Sequence, residues 1–161
     1  MDSKQYLETW ILNFLSTPQS ILNDFPPCPF AKKAYIDNRI NIIEVTNYVD
    51  DIKNHISIWT DEYDVLIFVC PDNIDADDFV EQTQKLNEVF MPKGLILLED
   101  HININEQIGN LILNNGKYNI ILVQRIDKLN EAAEKLHRTT YYENWPKEYY
   151  DKVVGWRTLD T

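Results

Sequence analysis

The stretch "DVLIFVC", Asp64–Cys70, decides the fold. Five consecutive large apolar residues, β-branched and aromatic types among them, form a run too short for a buried helix and right for a strand. Because the run does not alternate with polar residues, both faces of such a strand must be covered, as in the centre of a sheet with helices above and below. Similar runs follow the same logic: "INIIEV" (Ile40–Val45), "GLILLED" (near Leu95 to Glu99) and "YNIILVQRI", ending near Arg125.

Helical periodicity fills the intervals. Tyr6, Leu7, Trp10, Ile11, Phe14 and Leu15 form one broad apolar stripe, opened by a capping pair of Asp2 and Gln5 and closed by Pro18. Val49, Ile52, Ile56 and Trp59 lie on one face of a helix for which Thr46 is the expected N-cap. Asp75 caps a helix with Phe79, Leu86, Val89 and Phe90 on its inner side, and Asp127 caps one carrying Leu129, Ala132, Ala133 and Leu136. Residues 102–117 fit either a short helix or an extra strand, and a last helix starts at Pro146. Strands alternating with helices predict a single α/β domain over residues 1–161, with a mixed or mostly parallel sheet of about four strands and helices on both faces. The alternative is a ferredoxin-like two-layer α+β sandwich, which leaves one sheet face wet.

Composition limits the partners. The chain has 161 residues, 26 acidic and 15 basic, for a net charge of -11. That balance repels phosphate backbones and anionic lipid, so nucleic-acid and membrane partners are not expected. Four glycines and no G-x-G-x-x-G or Walker-type run leave no phosphate loop, and no cofactor is indicated. Two cysteines and no secretory signal predict a reducing, cytoplasmic setting. The separation of the cysteines matches no compact zinc spacing, so no metal site is expected.

Chemistry concentrates at two places. In "FPPCPFAKKA", Phe25–Ala34, a helix starting at Pro29 makes Cys28 its N-cap. Backbone N–H groups, the helix dipole and the charges of Lys32 and Lys33 then lower the thiol pKa and make Cys28 a nucleophile, with Lys32 and Lys33 supporting the thiolate. A buried cysteine at a proline-rich corner accounts for the same residues without chemistry. The second place is the edge where parallel strands end, which ligands of open α/β sheets favour. Glu44, Cys70, Asp72, Glu99, Asp100 and His101 fall there, joined by Arg125 if the last strand runs parallel. His101 beside acidic residues has a raised pKa and serves as acid or base, while Cys70, Glu99, Asp100 and Arg125 contact a small-molecule ligand.

"CPFA", Cys28–Ala31, resembles the active-site turn of omega-class glutathione transferases. That resemblance implies a thioredoxin-like domain and a cysteine that forms mixed disulfides with glutathione. Trp10, Phe14, Leu22, Asn23 and Cys28–Ala31, with the acidic helix "DADDFVEQTQKLNEVF", are similar to a bacterial family of small proteins of unassigned function. Its members carry a tryptophan helix followed by an "LNLCPFA" segment, and the similarity implies element order rather than activity. The C-terminal "TTYYENWPKEYYDKVVGWR" is dense in aromatics. It reads either as a docking surface for a homo-oligomer or other partner, or as a terminal helix packed on the sheet. Two functions follow: a thiol-dependent or small-molecule-binding protein using Cys28, or a non-catalytic interaction protein using its aromatic C-terminal segment.

Overall fold

In the computed structural model, which describes residues 1–158, a four-stranded mixed sheet is covered on both faces. The strands are β1 (Ile40–Glu44), β2 (Val65–Val69), β3 (Leu95–Asp100) and β6 (Ile120–Arg125), in the order β1-β2-β6-β3. β1 and β2 pair in parallel across the crossover helix α3 (Tyr48–Ser57). β6 inserts antiparallel between β2 and β3. The physical reason lies in its connection. After β3 the chain makes a short hairpin of β4 (Gln107–Ile108) and β5 (Leu111–Ile112), which fixes the ambiguous 102–117 segment, and re-enters the sheet where it left, with Ile120 opposite Asp100. Without a crossover helix a parallel return is closed to it. The two-residue turn of the hairpin has Gly109 at φ 57°, as a II′ turn requires.

Strict alternation sends the sheet's side chains to two cores. On one face Leu66, Phe68, Leu97, Ile121 and Val123 pack against Ile52 of α3 and Phe79, Leu86 and Phe90 of α4 (Ala76–Phe90). On the other, Ile67, Val69 and Ile120 meet Leu7 of α1 (Ser3–Trp10), Ile11 of the π-helical turn Ile11–Leu15 and Ala31 of α2 (Ala31–Ile36). Two covered faces exclude the two-layer sandwich. Each fully buried large side chain stabilises by roughly 1.5–3 kcal/mol, so the two cores together hold the sheet in place.

A third cluster ties down the C-terminal third. Leu22, Ile108, Leu136 of α5 (Ile126–His137) and Tyr141 are buried together, with Tyr142, Trp145 and Tyr149 against them. The aromatic segment therefore packs within its own chain, through α6 (Lys147–Tyr150), the π-helical turn Asp151–Gly155 and α7 (Trp156–Thr158).

Local caps follow the sequence where they rest on one side chain. Asp2 and Gln5 form the capping box and Asp75 accepts from the Asp78 N–H. At α3 the cap is Asn47 rather than Thr46, because the Asp51 carboxylate takes the N–H groups of both Thr46 and Asn47. At α5 Asp127 sits in the first turn and Arg125 is the cap. No helix among the described residues is long and apolar enough to cross a membrane.

Candidate functional site

An open cleft of about 970 Å³ lies along the β3 side of the sheet. Leu98 and Leu122, opposite each other on β3 and β6, contribute to its lining. Trp10, Leu15 and Cys28 line it from the N-terminal segment, and Trp145, Tyr149 and Trp156 from the C-terminal one. Both π-helical turns reach it, the first through Leu15 and the second through Asp151, Lys152 and Val153. Such turns shift side-chain direction by one residue and recur at functional sites.

Cys28 is in this cleft, but not as a helix cap. α2 begins at Ala31 with Phe30 as its cap residue, two positions beyond the cysteine. The Cys28 N–H is given to Leu15 O at 3.0 Å, which fastens the proline corner to the N-terminal helix. The residue is half-buried, but its sulfur lies deep, and burial pushes the thiol pKa up. Backbone N–H groups of Phe30 and Ala31 act on the sulfur in the opposite direction and are outweighed. Lys32 is exposed, and Lys33 is turned to Asp37 at 2.7 Å. The expected lowering of the Cys28 pKa by helix and lysines is therefore reversed: desolvation costs the anion more than two N–H bonds return. In the native protein the iodoacetamide reaction of Cys28 should rise with a midpoint above the ordinary thiol value of about 8.5. A midpoint below 7.5 would show that the lysines do govern the sulfur.

Cys70 is 3% exposed, packed in the α3–α4 core with its thiol toward Phe68 O, and burial raises its pKa to about 12. It should resist labelling until the protein unfolds. His101 is also core rather than cleft. Its Nε2 is 2.7 Å from Ile74 O, its Nδ1 accepts the Asn103 N–H at 3.0 Å, and its ring meets Phe79 edge-on. Both ring nitrogens are thus engaged by backbone groups of the core, and the imidazole is not presented to the cleft.

Arg125 is at the other end of the sheet, because β6 runs antiparallel and pairs Arg125 with Leu95. There it stacks over Trp59 at 4.4 Å and donates to Tyr63 O, near Asp61 and Asp64. Glu44 instead accepts from Ser3 Oγ. Thus Cys28, Glu99 and Asp100 share the cleft, while Lys32, Cys70, His101 and Arg125 take no part in it.

The electrostatics of the cleft centre on three carboxylates. Asp100 is 6% exposed and accepts from Asn114 Nδ2 at 2.7 Å, Asn115 N at 3.0 Å and Asn115 Nδ2 at 2.7 Å, so its charge is fully engaged. Glu99 is desolvated and its pKa is raised. Glu106, just before β4, is raised furthest, to about 7, chiefly by burial and further by Asp100 and Glu99, with Lys152 opposing at 3.5 Å. The sequence gives no signal for Glu106: it lies in a segment of unresolved type, far from any recognisable motif. Trp10, Trp145 and Tyr149 were legible only as apolar helix faces or a docking surface. Among the described residues no group of three His, Cys, Asp or Glu side chains gathers to hold a metal ion.

The chain matches no protein-family model, no curated protein and no solved structure.

Proposed function

We propose that this protein binds a small organic molecule in the cleft, with Cys28 as a thiol in its wall. The observation that carries this reading is the cleft itself: about 970 Å³, largely apolar, with three of the four tryptophans, a cysteine and five carboxylates along its lining. Apolar concavities of this size with a few convergent polar groups are the usual form of a ligand site. Cys28 is protonated at rest. It is a thiol held in reserve, near two backbone N–H groups that favour the anion once it forms. That arrangement supports a thiol-dependent step on a bound ligand.

The alternative, a non-catalytic protein docking through its aromatic C-terminal segment, has less behind it. Tyr141 is 3% exposed, and Tyr142, Trp145, Tyr149 and Tyr150 form ring contacts with one another. Little of that surface is left for a partner.

The test uses tyrosol, a neutral phenol with an apolar body and two oxygens. Adding it should quench the tryptophan emission saturably and slow Cys28 alkylation at least threefold, with Cys70 unaffected. Neither quenching nor protection up to the solubility limit would remove the cleft as a ligand site.

A further inference from the structure

We infer that the ligand is an organic monocation, an amine on an apolar body, with its nitrogen seated between Glu99 and Glu106. This rests on the cleft reading above and deepens it. Among the described residues, the charged side chains along the lining are Glu88, Glu99, Asp100, Glu106 and Asp151 against the cation of Lys152. Asp100 is already spent on the Asn114 and Asn115 side chains and backbone. Glu99 and Glu106 are less engaged: each is desolvated, and among the described residues the cation that reaches them is Lys152, which pairs with Glu106. Lys152 stands 3.5 Å from Glu106 with its side chain 52% exposed, a long and water-reached contact that an incoming ammonium can displace. A cation in this enclosure forms charge-assisted bonds to carboxylates that have little water left to lose.

The rest of the lining fits the remainder of such a ligand. Trp156 also lines the cleft, and an indole face attracts a cation. Size and charge thus point to one class.

Occupancy of the site is tied to a proton. The groups facing Glu106 are Glu99 and Asp100 from β3, Lys152 from the C-terminal π-helical turn and Tyr149 from α6. An ammonium ligand meets its full partner only once Glu106 has lost its proton. Affinity for an amine therefore weakens as pH falls below about 7, while affinity for a neutral analogue stays level.

The experiment compares three probes of one shape by tryptophan quenching: tyramine (cationic), tyrosol (neutral) and 3-(4-hydroxyphenyl)propionate (anionic). Tyramine should bind at least tenfold tighter than tyrosol at pH 8, with the propionate weakest. Lowering the pH to 5.5 should reduce tyramine affinity severalfold and leave tyrosol unchanged. Glu106→Gln should bring tyramine down to the level of tyrosol. Its backbone bonds, N–H to Asn114 Oδ1 and C=O from Leu113 N, do not involve the carboxylate, so the hairpin is retained. Lys152→Gln, which removes the competing cation, should tighten tyramine severalfold. Equal binding of tyramine and tyrosol, or a Glu106→Gln variant that keeps the preference for the amine, overturns the inference and leaves the cleft reading standing. Failure of all three probes to bind overturns both.

Discussion

Asp100→Ala is expected to lower the unfolding free energy by about 3 kcal/mol, because it strands three N–H donors at once and bonds to an ionised acceptor are worth about 1.5–3 kcal/mol each before relaxation. Asp100 ends β3, and its carboxylate gathers the Asn114 side chain and both the backbone and the side chain of Asn115. The same asparagines hold the surrounding loop. Asn114 donates to Ile104 O at 2.8 Å, Asn115 Oδ1 accepts from Lys117 and Tyr118, and Asn115 O accepts from the Tyr6 hydroxyl at 2.6 Å. Losing the carboxylate therefore loosens the connection that carries Glu106 and returns the chain to β6. Urea denaturation of the variant should show a lower midpoint with an unchanged slope. Asp100→Asn should recover only part of the loss, since its amide group has one oxygen and points an N–H toward donors. A midpoint within 0.5 kcal/mol of wild type in Asp100→Ala would show that the carboxylate is not the anchor described.

Glu106→Gln should do the opposite and stabilise the protein at pH 8 by about 1–3 kcal/mol. The sign follows from linkage. The carboxyl has an ordinary value of 4.5, and the folded protein raises it to about 7, so folding takes up a proton between those limits. Its contribution to stability is complete below about pH 4.5 and is lost as the pH rises through about 7. A displacement of that size is worth about 3 kcal/mol, reduced by the water that reaches a side chain 18% exposed. Glutamine keeps the shape and never ionises, so the gain appears on the alkaline side and vanishes near pH 4.5. Glu99 is shifted in the same sense and leaves a residual slope in the variant. Asp64 is shifted the other way by Arg39, so its contribution is lost only as the solution becomes more acidic than the ordinary carboxylate range. Subtracting the variant's stability-versus-pH curve from that of wild type isolates residue 106. A flat difference between pH 5 and 8 would mean that Glu106 is as solvated in the fold as in the unfolded chain.

These two acidic residues also show where sequence reading stopped. The four sheet strands were legible because each is a short apolar run bounded by polar or turn residues, and burial on both faces demands that pattern. Cys28 stood out for its unusual neighbours, Pro27 and Pro29, yet the sign of its pKa shift came out reversed. A local argument from dipole and lysines weighs what is near in sequence, and the enclosing groups come from elsewhere. Tyr141, for one, donates its hydroxyl to Pro27 O across more than a hundred residues. His101 looked reactive beside Glu99 and Asp100, but adjacent residues on a strand face opposite ways. Asp100 turns to the Asn114–Asn115 loop and His101 to Phe79 and Ile74.

Sequence alone determined the α/β class, the strands at its centre and the caps made by Asp2 and Asp75. Those depend on periodicity and on contacts within a turn or two of the chain. Only the tertiary structure decided that β6 runs antiparallel, which sends Arg125 to the far end, and that Cys28, Glu99, Glu106 and three tryptophans share one cleft. Strand direction depends on the path of a connection. The ionisation of a side chain depends on how completely distant segments exclude water from it, and no stretch of residues contains that information by itself.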